Sequence, residues 1–289
     1  MADKIVSFPD LTKLTLGFLG CGKISNAMVK GLCTLREKPK AIFVSKRNEI
    51  KSSQLKEAYP NIVEVSESNE YIVSNSDIVF LGLLPATARE ILPKLNFQGK
   101  FVVSILAAVD YAEILQLTSV APDACLKIVP LPSVSNGWGP IVAYPKQSKV
   151  DHLIRLLGTL CSMDTEIEMK PIIAITGHIS PFFELMKTTQ DFLKSKGIPD
   201  DISRSYVASF YAGLSRTAEL SEDTFGELTE EAGRNMYLLY YTMRFLLYFF
   251  RAATPGGLNE QAYKFMSSTT HYEVQTQSLE DIYKRLTKK

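Results

Sequence analysis

Through the first half of the chain, short apolar runs alternate with amphipathic stretches. The runs Leu14–Leu19, Ala41–Ser45, Ile62–Val65, Asp77–Leu83, Phe101–Ile105, Leu126–Val129 and Ile141–Ala143 are rich in Val, Ile and Phe, and Thr165–Glu168 is a weaker eighth. Runs this short, separated by helix-like segments, predict βαβ units: a mostly parallel, doubly wound sheet covered on both faces.

From about Pro171 the apolar period changes. Phe182, Phe183, Leu185 and Met186, and later Tyr206, Phe210 and Leu214, recur at helical spacing. Helices are predicted over Pro181–Lys196, Asp200–Glu219, Phe225–Ala253, from Leu258 into the 260s, and over Leu279–Leu286. The segment Met236–Phe250, MYLLYYTMRFLLYFF, is apolar on nearly every side. It is shorter than the roughly 20 residues of a membrane span and carries Arg244 at its middle, so it reads as a buried helix. A helical half this small would struggle to cover such a segment unaided, which predicts a subunit interface. The expected organisation is a doubly wound α/β domain over 1–168 followed by an all-α dimerisation domain over 169–289.

Composition narrows the classes. The chain has 289 residues, 46% of them hydrophobic, with 32 Lys+Arg against 31 Asp+Glu for a net charge of +1. That balance argues against binding nucleic acid or an anionic membrane through bulk charge. Cys21, Cys33, Cys125 and Cys161 form no C-x-x-C pair, and His152, His178 and His271 form no H-E-x-x-H motif, so no metal site is expected. Met1–Asp10 lacks the apolar core of a signal peptide, and the expected setting is reducing and cytoplasmic.

The sharpest motif is Gly20-Cys21-Gly22-Lys23-Ile24-Ser25, which follows the first predicted strand and opens a helix. Gly20 permits a tight turn, Gly22 lets backbone N–H groups approach a pyrophosphate, and a small third residue allows close helix–strand packing. Ser25 stands where Gly or Ala is usual. An NAD-selective site would place Asp or Glu at the end of the second strand; here stand Ser45, Lys46 and Arg47, a hydroxyl and two cations suited to a 2′-phosphate. The expected cofactor is NADP(H).

With these residues in place, the chain resembles the pyrroline-5-carboxylate reductase family. The resemblance runs through LGFLGCGKISNAMVKGL, SDIVFLGLLP, FVVSILAAV and KIVPLPSVSNGWGPIVAYP, and again at Thr254-Pro255-Gly256-Gly257. It implies a Rossmann domain holding NAD(P)H, a helical domain that dimerises and completes the site, and hydride transfer to the C=N carbon of a cyclic imine. Departures fall in the substrate half. The family's Lys-Pro beside the cofactor is Leu84-Pro85; its M-P-N-T-P run is Val129-Pro130-Leu131-Pro132-Ser133; its S-G-S-G-P-A-Y segment is Thr176-Gly177-His178-Ile179-Ser180-Pro181-Phe182-Phe183; and Asn259 stands where Thr is usual.

Hydride chemistry belongs to the cofactor, which leaves the protein to orient substrate and supply a proton. His178 is the candidate donor. Ser180-Pro181 reads as an N-cap followed by the first helical residue, with Ser180 a candidate contact for an anionic substrate. The resemblance adds the Thr254 hydroxyl, the backbone of Gly256 and Gly257, and Asn259 as a polar neighbour. The expected substrate is a small imine or carbonyl compound. Two alternatives stay open. One is a dehydrogenase of a small β-hydroxy or keto acid, for which Lys187 would be the amine. The other is an NADP-binding sensor or scaffold without catalysis.

Overall fold

The computed structural model describes residues 10–146, 149–233, 261, 264–266 and 268–287. The chain divides into two compact units, Met1–Ile173 and Ala174–Lys289.

The first unit is built on eight strands: β1 Thr15–Leu19, β2 Ala41–Ser45, β3 Val63–Ser66, β4 Ile78–Leu81, β5 Phe101–Ser104, β6 Cys125–Pro130, β7 Pro140–Tyr144 and β8 Thr159–Ser162. They form one sheet in the order β3-β2-β1-β4-β5-β6-β7-β8. All pairings are parallel except that of β7 against β6. The helices α1 Lys23–Thr34, α2 Glu49–Ala58, α3 Asn69–Ser74, α4 Pro85–Ile91, α5 Tyr111–Thr118, α6 Asp151–Arg155 and α7 Met169–Ile175 connect and follow the strands.

Both faces of the sheet are covered, which is why its central strands read as continuous apolar runs. Every residue of β4 and of β5 is buried. On one face Phe18 stacks on Phe80, with ring centroids 4.5 Å apart, in a cluster with Met28, Val29, Leu32, Ile128 and Ile154. On the other, Val79, Leu81 and Val102 pack with Ile72, Ala88, Leu92 and Ile114.

The eighth strand is a correction. It is Thr159–Ser162, not Thr165–Glu168; the latter stretch is a 3-10 turn over Glu166–Glu168. Glu168 Oε2 accepts from the backbone N–H groups of Asp164 and Thr165, both at 2.9 Å. Thr165-x-x-Glu168 is thus a helix-start signal, and the local caps outweigh the β-propensity of the run.

In the second unit, α8 Ile179–Ser195 and α9 Asp200–Leu220 form a hairpin whose turn places Gly197 at a φ of +85°. Tyr211 ties them: its hydroxyl lies 3.1 Å from Thr189 Oγ1 and its ring meets Phe182 edge-on at 5.7 Å. Among the described residues α10 covers Phe225–Gly233, and a C-terminal helix runs over His271–Thr287, much longer than the predicted Leu279–Leu286. Residues 236–250 and 254–259 lie outside the described residues. Phe183 is 61% and Phe225 77% exposed, and Phe192, Tyr206, Phe210 and Leu214 are exposed as well. Among the described residues no helix is long and apolar enough to cross a membrane.

Candidate functional site

The strand order reverses at β1, which lies between β2 and β4. In an open α/β sheet the crevice outside the strands' C-terminal ends at this reversal is where ligands bind. Gly20 leaves β1 there at a φ of +97°, and a Cβ on it would stand 2.2 Å from the carbonyl oxygen of Gly82, just past β4. Its N–H donates to the Ser45 hydroxyl at 2.8 Å. The fold itself demands glycine at this position.

Gly22 is different. It precedes α1 in an extended conformation at a φ of −74°, and a Cβ on it would meet nothing within 4 Å. Neither backbone nor packing requires glycine here, so the open space in front of the helix is its use. The first turn of α1 has no acidic residue and no side-chain cap. Its free N–H groups and positive dipole end therefore face that space, an arrangement that receives an anion.

Other predicted residues are placed as follows. Cys21 is buried, and desolvation holds its thiol above the usual thiol range. It can offer a ligand only backbone. Lys23 is exposed and Ile24 half-buried at the helix start. Ser25 is buried, its hydroxyl lacks a hydrogen-bond partner, and a Cβ on Gly82 would stand 2.2 Å from it. The extra hydroxyl at the third small position is accommodated by a glycine on the neighbouring strand's loop, a reciprocity invisible without the strand pairing.

At the end of β2 the three expected phosphate contacts separate. Ser45 is buried and its hydroxyl serves Gly20, so it holds the loop rather than facing the crevice. Lys46 Nζ pairs with Glu67 Oε1 at 2.6 Å and lies 3.7 Å from Glu49 Oε1. The Glu67 hydrogen bond keeps the lysine above, and the carboxylate below, their ordinary pKa ranges. Arg47 is exposed and, among the described residues, has no ion pair. At the end of β4, Leu84 is 72% exposed and Pro85 is the first residue of α4, where its missing N–H costs nothing. Trp138 is 69% exposed in the turn between β6 and β7, at the same edge of the sheet.

Buried Lys127 and partly exposed Glu166 form an ion pair at 2.7 Å that the sequence reading missed. A single Lys inside the apolar run Cys125–Pro130 was the available signal, because a buried lysine needs a partner.

In the second unit, His178 is the N-cap residue of α8, half-buried, with Nε2 buried and unpartnered. The predicted helix start is corrected. Ser180 and Pro181 are the second and third residues of α8, so Ser180 is not the cap. Proline is tolerated there because the N–H it lacks has no intrahelical acceptor. Thr254, Gly256, Gly257 and Asn259 lie outside the described residues. The structure thus brings Gly20, Gly22, Lys23, Lys46, Arg47, Leu84 and Pro85 to one edge of the sheet.

A cavity of about 530 Å³ lies at the opposite edge, lined by Leu14, Asp77, Lys100, Ala124 and Lys149 among others. Its charges are engaged: Asp77 accepts from Thr15, Lys100 donates to Ser74 O, and Lys149 pairs with Asp123. The switch-point edge carries the stronger case for chemistry. Among the described residues no group of His, Cys, Asp and Glu is placed to hold a metal.

Residues 15–108 match the family model described as NADP oxidoreductase, coenzyme F420-dependent. Among solved structures, the chain is similar to a pyrroline-5-carboxylate reductase from Coxiella burnetii, at 19% identity and a TM-score of 0.75, covering 96% of this chain and 100% of that one. The chain has the pyrroline-5-carboxylate reductase fold. The enzyme from Streptococcus pyogenes matches with a TM-score of 0.73 at 14% identity, over 95% of this chain and 98% of that one. A Plasmodium falciparum pyrroline carboxylate reductase, solved with NADP bound, has a TM-score of 0.73 at 15% identity, over 96% and 98%. A sequence comparison with curated proteins finds no match.

Proposed function

We propose that this chain is an NADPH-dependent reductase of a small C=N substrate, of the type handled by pyrroline-5-carboxylate reductases, and that it works as a homodimer. The observation that carries the reading is the open space before the uncapped start of α1, bounded by a glycine the fold does not need. Bound there, the dinucleotide would supply the hydride. The backbone N–H groups of Lys23 and Ile24 would hold its pyrophosphate, and Arg47 its 2′-phosphate. The apolar Leu84 side chain would border the nicotinamide half. His178, with an uncommitted Nε2, is the proposed proton donor, and Ser180, Thr254, Gly256, Gly257 and Asn259 are the proposed substrate contacts. The departures from the family's pattern in those segments favour a related imine over pyrroline-5-carboxylate itself.

The hydroxy-acid alternative loses ground because Lys187 is exposed and ion-paired with Asp191 at 2.7 Å. The sensor alternative is separated by turnover. NADPH oxidation with pyrroline-5-carboxylate or a panel of cyclic imines is expected; binding of NADPH without turnover on any panel member would favour the sensor.

Cofactor choice is expected to rest unequally on the two cations. Arg47→Ala should weaken NADPH by about 10- to 100-fold while leaving NADH nearly unchanged, the loss of a charge-assisted contact. Lys46→Ala should cost less, because Glu67 already engages that amine. Equal losses of NADPH and NADH affinity in Arg47→Ala would remove the 2′-phosphate assignment.

The dimer is supported by the exposed apolar side chains of α8, α9 and α10, among them Phe183, Phe192, Tyr206 and Phe225. Light scattering after size exclusion should return twice the 32.3 kDa chain mass. A monomer at micromolar concentration would end this part of the reading.

A further inference from the structure

The ion pair Lys127–Glu166 has no part in the reading above, yet its surroundings give it one. Lys127 sits within β6, 4% exposed, in register with Ser104 of β5 and Tyr144 of β7. Its Nζ donates to Val109 O and to Glu166 Oε1, each at 2.7 Å. The Glu166 carboxylate also accepts the Tyr111 N–H, at 2.9 and 3.0 Å to its two oxygens. One member of the pair grips the chain just before Asp110 and the other just after it.

Asp110 is the N-cap residue of α5 and makes no side-chain cap bond, so Glu166, 55 residues beyond Tyr111, takes that place. By contrast, α2 is capped locally, Asn48 accepting from Lys51 N–H. The segment held in this way is the turn Leu106–Val109, closed by a 3.2 Å bond from Val109 N–H to Leu106 O. Ala107 and Ala108 are exposed at its tip, just beyond the C-terminal end of β5.

In a doubly wound sheet the two halves of a dinucleotide lie on either side of the switch point. The adenosine half belongs over β2, and the nicotinamide half over β4 and β5, where this turn stands. We propose that Lys127 and Glu166 are positioning residues for the nicotinamide half, fixing the Leu106–Val109 turn so that Ala107 and Ala108 form one wall of its pocket. The proposal rests on the dinucleotide reading above. A mutually satisfied pair with its lysine buried suits this task, since it confines a short loop without placing charge at the hydride-transfer site.

The test compares two ligands on the full chain. NADPH reports both halves of the site, whereas adenosine 2′,5′-bisphosphate reports the adenosine half alone. Glu166→Ala is expected to raise the Kd for NADPH about tenfold, because binding must then order the released turn, and to leave that for the bisphosphate unchanged within about twofold. Glu166→Gln keeps an acceptor for Tyr111 N–H but not the charge, and should shift NADPH in the same direction by less. It also supplies a folded variant if the alanine form melts below the assay temperature. Equal weakening of both ligands, as in general loosening of the domain, or an unchanged Kd for NADPH would overturn the proposal. A wild-type chain that binds the bisphosphate but shows no change in the NADPH-to-bisphosphate ratio on mutation overturns the positioning role alone. A wild-type chain that binds neither ligand overturns the dinucleotide reading and the positioning role with it.

Discussion

Gly20→Ala should unfold the domain more easily and Gly22→Ala should not, although the two glycines are separated by one residue. Alanine at position 20 would have to hold a φ of +97° with its methyl 2.2 Å from a backbone oxygen of the β4 loop. Backbone strain and overlap together are expected to cost about 3 kcal/mol. At roughly 2–4 °C per kcal/mol for a domain of this size, the melting temperature should fall by about 10 °C. The Ser45 tether cannot absorb the strain, because it fixes the N–H of the same residue. At position 22 the φ of −74° suits any residue and a methyl meets no protein atom, so the melt should stay within about 1 °C. NADPH affinity should nevertheless fall at least about tenfold, since the methyl would occupy the space through which N–H groups reach the pyrophosphate. Melts and NADPH titrations of both variants check this. A Gly22→Ala protein binding NADPH as tightly as the parent would mean the open space serves something else.

The second large effect concerns Lys127. Lys127→Met keeps most of the side-chain volume but leaves the Glu166 carboxylate with only the Tyr111 N–H, in a setting a quarter exposed. Breaking a buried pair costs about 3–5 kcal/mol, and the partial exposure of Glu166 points to the lower end. Val109 O loses its donor as well. In the Lys127→Met/Glu166→Gln double variant the stranded charge is gone, so its loss should be smaller than the sum of the single losses by more than about 1 kcal/mol. Urea unfolding of the four proteins measures that coupling. Additivity within about 0.5 kcal/mol would show that the two residues stabilise the domain independently.

These residues also mark how far the fold and the site could be read from the chain. The strands of the sheet centre and the glycine loop were legible because burial on two faces and a tight turn each leave a local signature. The switch from strand to helix period near residue 171 was legible for the same reason. What escaped depends on partners distant in sequence. Nothing near Lys46 says that Glu67 will take its amine, nothing near Ser45 says that its hydroxyl will serve Gly20, and Lys127 and Glu166 lie 39 residues apart. Two local misreadings have a different origin. Ser180-Pro181 resembles a helix start, but α8 begins at Ile179, directly after a 3-10 turn that has already set the chain direction. Thr165–Glu168 has strand-like residues, yet its capping pattern prevails once β8 has been completed by Thr159–Ser162.

The exposed turn after β6 gives the molecule an optical property of its own. Trp138 is the chain's one tryptophan, so indole emission comes from a single known place at the edge of the sheet where the dinucleotide is proposed to lie. Reduced nicotinamide absorbs in the region where indole emits. Energy transfer from Trp138 would then register occupancy in the unmodified chain, and β6 and β7, which fix the donor, also anchor the turn that carries it.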